Sequence, residues 1–172
     1  MGAGRIDAIL IAGANGAGKT TFARQFLHVR YPEATFLNAD EIQRERHEFA
    51  HPFVAGRELL RRLSHLEFLR RSFAIESTLA SRMYARRILK WKSLGYRTQL
   101  HFIELPSADL ALKRVAARVA AGGHDVPAED VVRRFQQGIA LFGSEYSHLV
   151  HRCYLWKSDE RGLTLAQRRE NP

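Results

Sequence analysis

Short unbroken apolar runs along this chain alternate with longer stretches in which apolar positions recur with helical spacing. Ile6-Asp7-Ala8-Ile9-Leu10-Ile11-Ala12 reads as a buried strand, closed by the glycine-rich stretch Gly13 to Gly18. The pattern then predicts a helix over 19–28, a strand over 34–39 and a helix opening at Asp40. A long helix follows over 53–71, then a short strand Phe73–Glu76, a helix over 80–94 and a strand over 97–105. Residues 107–121 are helical, the loop 121–127 leads into a helix over 128–142, and Arg152 to Trp156 makes a fifth strand. Strands that alternate with helices imply βαβ units and a parallel sheet. The expected fold is therefore α/β: a doubly wound, mostly parallel five-stranded sheet flanked by helices. Residues 160–172 are polar and lack either periodicity, so a frayed tail is expected there.

Composition narrows this picture. A length of 172 residues suits one domain, with a core expected over about 6–156. Apolar content of 45% and charged content of 26% exclude disordered and fibrous classes. Lone Cys153 excludes a disulfide framework and a cysteine-based zinc cluster. The longest apolar run, Ala8 to Ala12, is far too short to span a membrane, and charged Arg5 and Asp7 do not resemble a signal peptide. A cytoplasmic protein without membrane partners is expected. The formal charge is +9, and 22 of the 27 basic residues are arginine. Arginine's planar fork matches phosphate and carboxylate oxygens, so an anionic partner is implied.

The chemistry starts at Gly13-Ala14-Asn15-Gly16-Ala17-Gly18-Lys19-Thr20, a G-x-x-x-x-G-K-[ST] phosphate loop between a strand and a helix. Its backbone N–H groups and the following helix N-terminus suit the phosphates of ATP. Lys19 is expected to reach the β- and γ-phosphates, Thr20 to hold Mg²⁺, and Thr21 to assist at the α-phosphate. A dinucleotide-binding fingerprint is excluded, because glycines at 13, 16 and 18 have the wrong order and that motif has no Gly-Lys-Thr. Asp40, just past the second strand, is a candidate base for an attacking hydroxyl; equally, it could cap the next helix. Glu76 ends the third strand and is a candidate for metal-bound water or a substrate hydroxyl, with capping again the alternative. No apolar run ends in the Asp-Glu of a motor ATPase.

Arg114 and Arg118 stand one helical turn apart and are expected to project together away from the core. With Gly122-Gly123, His124 and Arg133-Arg134, they suggest a lid over 114–134 whose arginines close on a transferred phosphate, His124 ordering the loop. The segment 57–97 holds eleven basic against three acidic residues, a net +8, and Arg82 is expected as its member closest to the Glu76 rim.

The order of these motifs resembles the zeta toxin family of P-loop kinases, in its short bacterial branch. The resemblance rests on the phosphate loop, Asn38-Ala39-Asp40, Glu76-Ser77-Thr78-Leu79, Tyr84-Ala85-Arg86, Gly95-Tyr96, residues 118–127 and Arg133-Arg134-Phe135. It implies a nucleoside-kinase-like fold and ATP-dependent phosphorylation of a hydroxyl on a UDP-N-acetyl sugar. Asp40 would be the base, Glu76 and Thr78 the substrate- and metal-side pair, and Arg118 with Arg133 or Arg134 the phosphate clamp. Arg82 would flank the substrate. A small acidic antitoxin would be the protein partner. Two other readings stay open: a polynucleotide or nucleoside kinase that uses the 57–97 segment, and an ATP-binding switch with no acceptor.

Overall fold

β1 (Asp7–Gly13) is buried at every position, so its apolar residues run on instead of alternating, as a strand covered on both faces requires. It lies near the centre of a six-stranded sheet of order β2-β3-β1-β4-β5-β6 in the computed structural model, which describes residues 5–45 and 51–172. β2 (Thr35–Leu37), β3 (Phe73–Ser77), β4 (Arg97–Glu104) and β5 (Arg152–Asp159) run parallel to β1 through their successive pairings.

α1 (Lys19–Arg30), α5 (Ala108–Ala120) and the start of α6 (Ala128–Leu141) cover one face, on a core of Ile9, Ile11, Phe22, Ala23, Ile103, Val115 and Val131. α3 (Pro52–Phe68) and α4 (Met83–Ser93) cover the other, on Leu10, Leu63, Ile75, Ile88, Trp91 and Phe102. α2 (Ala39–Glu45) joins β2 to this second layer. α6 belongs to both layers: Val131 and Phe135 pack with the first core, Ile139 and Leu141 with the second. It continues into a π-helical turn, Phe142–Tyr146, and the short α7 (Ser147–Leu149).

That crossing brings Gly138 of α6 against the loop after β3, where an added Cβ would lie 2.8 Å from the carbonyl oxygen of Thr78. Gly138→Ala should push α6 off that loop and lower stability by about 1–3 kcal/mol, read as a lower urea midpoint at unchanged slope.

The sequence pattern errs at the chain's end. Residues 160–172 do not fray: β6 (Gly162–Glu170) pairs antiparallel with β5, making six strands instead of five. β6 is exposed at nearly every position, so backbone pairing holds it and no apolar alternation announces it. Asn171 fastens the end by donating to the carbonyls of Ser147 (2.9 Å) and Val150 (2.7 Å).

The buried polar groups are paired by residues distant in sequence. Glu67, 3% exposed, accepts from Trp91 Nε1 (2.7 Å), Lys90 (2.6 Å) and Arg87 (2.9 Å). Burial alone would raise its carboxyl; the three donors outweigh this and hold it below the usual value. His101, 1% exposed, is stacked on Tyr154 with ring centroids 4.5 Å apart, and burial pushes its imidazole down to about 3. Since an unfolded histidine titrates near 6.5, the unfolded state takes up a proton the native state refuses. Stability should therefore fall as pH drops below about 6.5, by at most about 1.4 kcal/mol per pH unit from this group. Denaturant midpoints from pH 7.5 to 5.5 should show that slope, and His101→Gln should flatten it.

Candidate functional site

The phosphate loop follows β1 at the carboxyl end of the sheet, where open α/β folds bind ligands. Gly13 has φ 140° and packs so tightly on β4 that a Cβ would lie 2.3 Å from the carbonyl oxygen of Ile103. At Gly16 the loop touches α5, with Arg114 Cβ 3.1 Å from where a side chain would begin. Gly18, in the left-handed region, caps α1 without a side-chain hydrogen bond. Among the described residues, the N–H groups of Gly16, Gly18, Lys19 and Thr20 donate to no protein acceptor. Unpaired N–H groups on a glycine-rich loop that leads into a helix N-terminus can serve as an anion cradle. Within the loop Ala14 and Ala17 are buried, and Asn15 Oδ1 is buried with no hydrogen-bond partner among the described residues.

Lys19 is 7% exposed; its ammonium donates to Ala14 O (2.9 Å) and lies 3.7 Å from Glu76 Oε1. Burial pushes this amine below the ordinary lysine value and nearby Arg118 adds to the effect, opposed by Glu76 and Asp40. A cation so placed gains from an arriving phosphate, which replaces the hydration it lost. Thr20 Oγ1 donates to Glu76 Oε2 at 2.7 Å, and Asn38 Nδ2 donates to the same oxygen at 2.7 Å. Thr21 is exposed at the start of α1.

Asn38, and not Asp40, takes the cap of α2. Its Oδ1 accepts from the N–H of Asp40 (2.7 Å) and of Glu41 (3.3 Å), so Asn38 caps α2. Asp40 is relieved of that duty: it sits within the first turn, half-buried, and its carboxylate has no hydrogen bond among the described residues. In the sequence Asn38 stands out only as part of Asn38-Ala39-Asp40. An asparagine just ahead of Asp40-Glu41 is a helix-start signal that could have found it. Glu76 likewise does not cap α4; its carboxylate points back to the phosphate loop.

Thr20 and Glu76 offer hard oxygen donors side by side, which suits Mg²⁺. Among the described residues no three His, Cys, Asp or Glu side chains cluster as a metal cage. A cation here would keep water and phosphate in its coordination sphere, the habit of Mg²⁺ in nucleotide sites.

The arginines divide. Arg118 donates to the carbonyl of His124 (2.8 Å), closing the α5–α6 loop, and its Nε is buried with no hydrogen-bond partner among the described residues. Arg133 and Arg134 both bind Asp130, at 2.5 and 3.4 Å. Arg82 is 75% exposed and pairs with Glu145 (2.8 Å). Thr78 is half-buried beside Gly138. Arg114 does not project outward with Arg118. It donates to Ser158 Oγ and to the carbonyl of Asp159, both at 2.8 Å, tying the end of β5 beside the phosphate loop. In the basic 57–97 segment, Arg61, Arg62, Arg82, Arg87, Lys90 and Arg97 are ion-paired, and Glu45, Glu145 and Asp7, acids from outside the segment, offset three of its eight excess charges.

An uncharacterized protein of Haemophilus influenzae is 32% identical over 129 residues, 73% of this chain and 89% of that one. The fold is shared with a putative kinase from Chloroflexus aurantiacus (TM-score 0.58, 17% identity, over 76% of this chain and 79% of that one). It superposes on a structure from the PezAT chromosomal toxin–antitoxin system of Streptococcus pneumoniae with a TM-score of 0.68 and 18% identity, over 96% of this chain and 73% of that one. It matches AvrRxo1-ORF1:-ORF2 with ATP equally well (TM-score 0.68, 16% identity), over 95% of this chain but only 58% of the other. Residues 9–141, from the heart of β1 to the end of α6, match the family described as AAA domain, and the chain belongs to that family.

Proposed function

We propose that this protein is an ATP-dependent phosphotransferase of zeta-toxin type, which moves the γ-phosphate of ATP to a hydroxyl of a small acceptor, a UDP-N-acetyl sugar. The observation that carries the reading is the carboxylate of Asp40, which has no hydrogen bond among the described residues, acts on the charge of Lys19, and stands on a helix whose cap is another residue. A P-loop that only sensed nucleotide would have no use for a free carboxylate at that rim.

In this reading Lys19 leaves the carbonyl of Ala14 for the β- and γ-phosphates. Thr20 and Glu76 would hold Mg²⁺, which when bound neutralises phosphate charge. Asp40 takes the proton of the acceptor hydroxyl as its oxygen bonds to the γ-phosphorus and the bond to the leaving ADP oxygen breaks. Thr78 and Arg82 flank the acceptor. Arg118, with Arg133 or Arg134, turns onto the transferring group. For the latter two the exchange is cheap, because solvent screens ion pairs as exposed as those with Asp130. The order of motifs and the likeness to a structure from a toxin–antitoxin system support the zeta-toxin assignment, and with it a small acidic protein partner.

Incubation with γ-labelled ATP and a panel of UDP-sugars, nucleosides and oligonucleotides tests the proposal. Label should enter a UDP-N-acetyl sugar. Label at oligonucleotide ends would replace this acceptor with a polynucleotide, and ATP binding without any transfer would leave only a switch.

A further inference from the structure

Away from the phosphate loop, on the α1 side of the sheet, the far end of α1 and the β5–β6 hairpin enclose a groove of about 350 Å³. That volume lies within the range of about 300–1,000 Å³ typical of small-molecule sites. α1 has 12 residues, so Arg30 stands about 18 Å along the helix axis from the phosphate loop.

The groove's floor is aromatic and incompletely covered. Phe26, Tyr31, Tyr154 and Trp156 are each half-buried, and β6 beside them is exposed along almost its whole length. An ordinary core would have closed over these rings. Beneath them, His101 accepts from Trp156 Nε1 (3.2 Å) on its Nδ1, so the neutral ring carries its hydrogen on Nε2. That Nε2 is buried with no acceptor among the described residues, a polar demand the protein itself leaves unmet.

The rim is cationic. Arg30 has no ion-pair partner among the described residues. Arg152 (3.2 Å) and Arg168 (2.5 Å) share the one carboxylate of Glu170, and the Arg168 guanidinium lies 6.0 Å from the centre of the Tyr154 ring. Three arginines against one acid leave two positive charges above a stacking floor. Flat rings bordered by arginine are the two devices with which proteins hold bases and phosphates without reading sequence.

We propose that this groove is a second site, distinct from the ATP cradle, which takes a nucleotide unit, its base stacked on the aromatic floor and its phosphate on the arginine rim. The unit has two sources, a free mononucleotide or a residue within a single strand. The proposal is independent of phosphotransfer.

The test uses the full chain carrying Lys19→Ala, so that the ATP cradle is disabled. Binding of a fluorescein-labelled single-stranded hexanucleotide is followed by anisotropy, and AMP is added as competitor. Saturable binding should survive Lys19→Ala. It should weaken on the order of ten-fold in Tyr154→Leu, and several-fold in Arg30→Ala and in Arg168→Ala, whose side chains are exposed and leave the core intact. Each arginine removed should reduce the log–log salt slope by about 0.7. Competition by AMP assigns the free mononucleotide as an occupant; strand binding that AMP does not displace assigns the strand. Failure of both probes to bind overturns the proposal, as does binding that ignores the two arginine variants or disappears with Lys19.

Discussion

Asp40→Asn should reduce kcat by about 10²–10⁴, equivalent to about 3–5 kcal/mol of barrier, while ATP affinity stays within a few-fold. The replacement keeps the side chain's shape and removes only its ability to hold a proton. The backbone N–H groups at 40 and 41 still find Asn38 Oδ1, so α2 and its neighbours keep their positions. Melting temperature should therefore hardly change, which separates lost chemistry from lost fold. The measurement is initial-rate kinetics with the labelled acceptor, beside equilibrium titration of ATP. Undiminished turnover in the variant would remove Asp40 from the reaction.

The second large effect is structural. Gly13→Ala places a methyl group 2.3 Å from a backbone oxygen of β4, at φ 140°, where a side chain is strained whatever the space. Neither the strand nor the loop can yield without breaking the β1–β4 ladder, in which Gly13 is paired with Ile103. A cost of about 3–5 kcal/mol is expected, from backbone strain and overpacking together. In a chain of this length that lowers Tm by about 10 °C. ATP binding should be lost as well, because the cradle hangs from that residue. Gly143→Ala, at a helical glycine with open space around it, is the control and should leave both unchanged.

What the sequence disclosed depended on whether a residue's role was local. β1, the phosphate loop and α1 could be read because an unbroken apolar run, spaced glycines and Gly-Lys-Thr determine one another over fifteen or so consecutive positions. Glu76 was legible as a rim carboxylate because a strand end fixes where its residue lies. Asp40 could be read as a cap because the sequence does not show that Asn38 takes that place. Pairings across the chain were invisible. Arg97 finds Asp7 and Arg82 finds Glu145, so counting charges within 57–97 overstated the free positive surface. Arg114 and Arg118 share a helical face, yet one reaches the end of β5 and the other the carbonyl of its own loop. β6 escaped because a strand held by its ladder, with both faces wet, has no pattern to disclose.

Asn38 carries a consequence for how far its position can vary. One end of its amide must accept from two backbone N–H groups while the other donates to Glu76, and only a side chain with both capacities at that length can serve. Serine keeps the cap but does not extend to the carboxylate. Aspartate keeps the cap and sets a second negative charge against Glu76. Glutamine carries both functions one methylene too far. The amide thus acts as a gauge of fixed length between the start of α2 and the end of β3, so the spacing of two carboxylates on different elements is set by the one neutral residue between them.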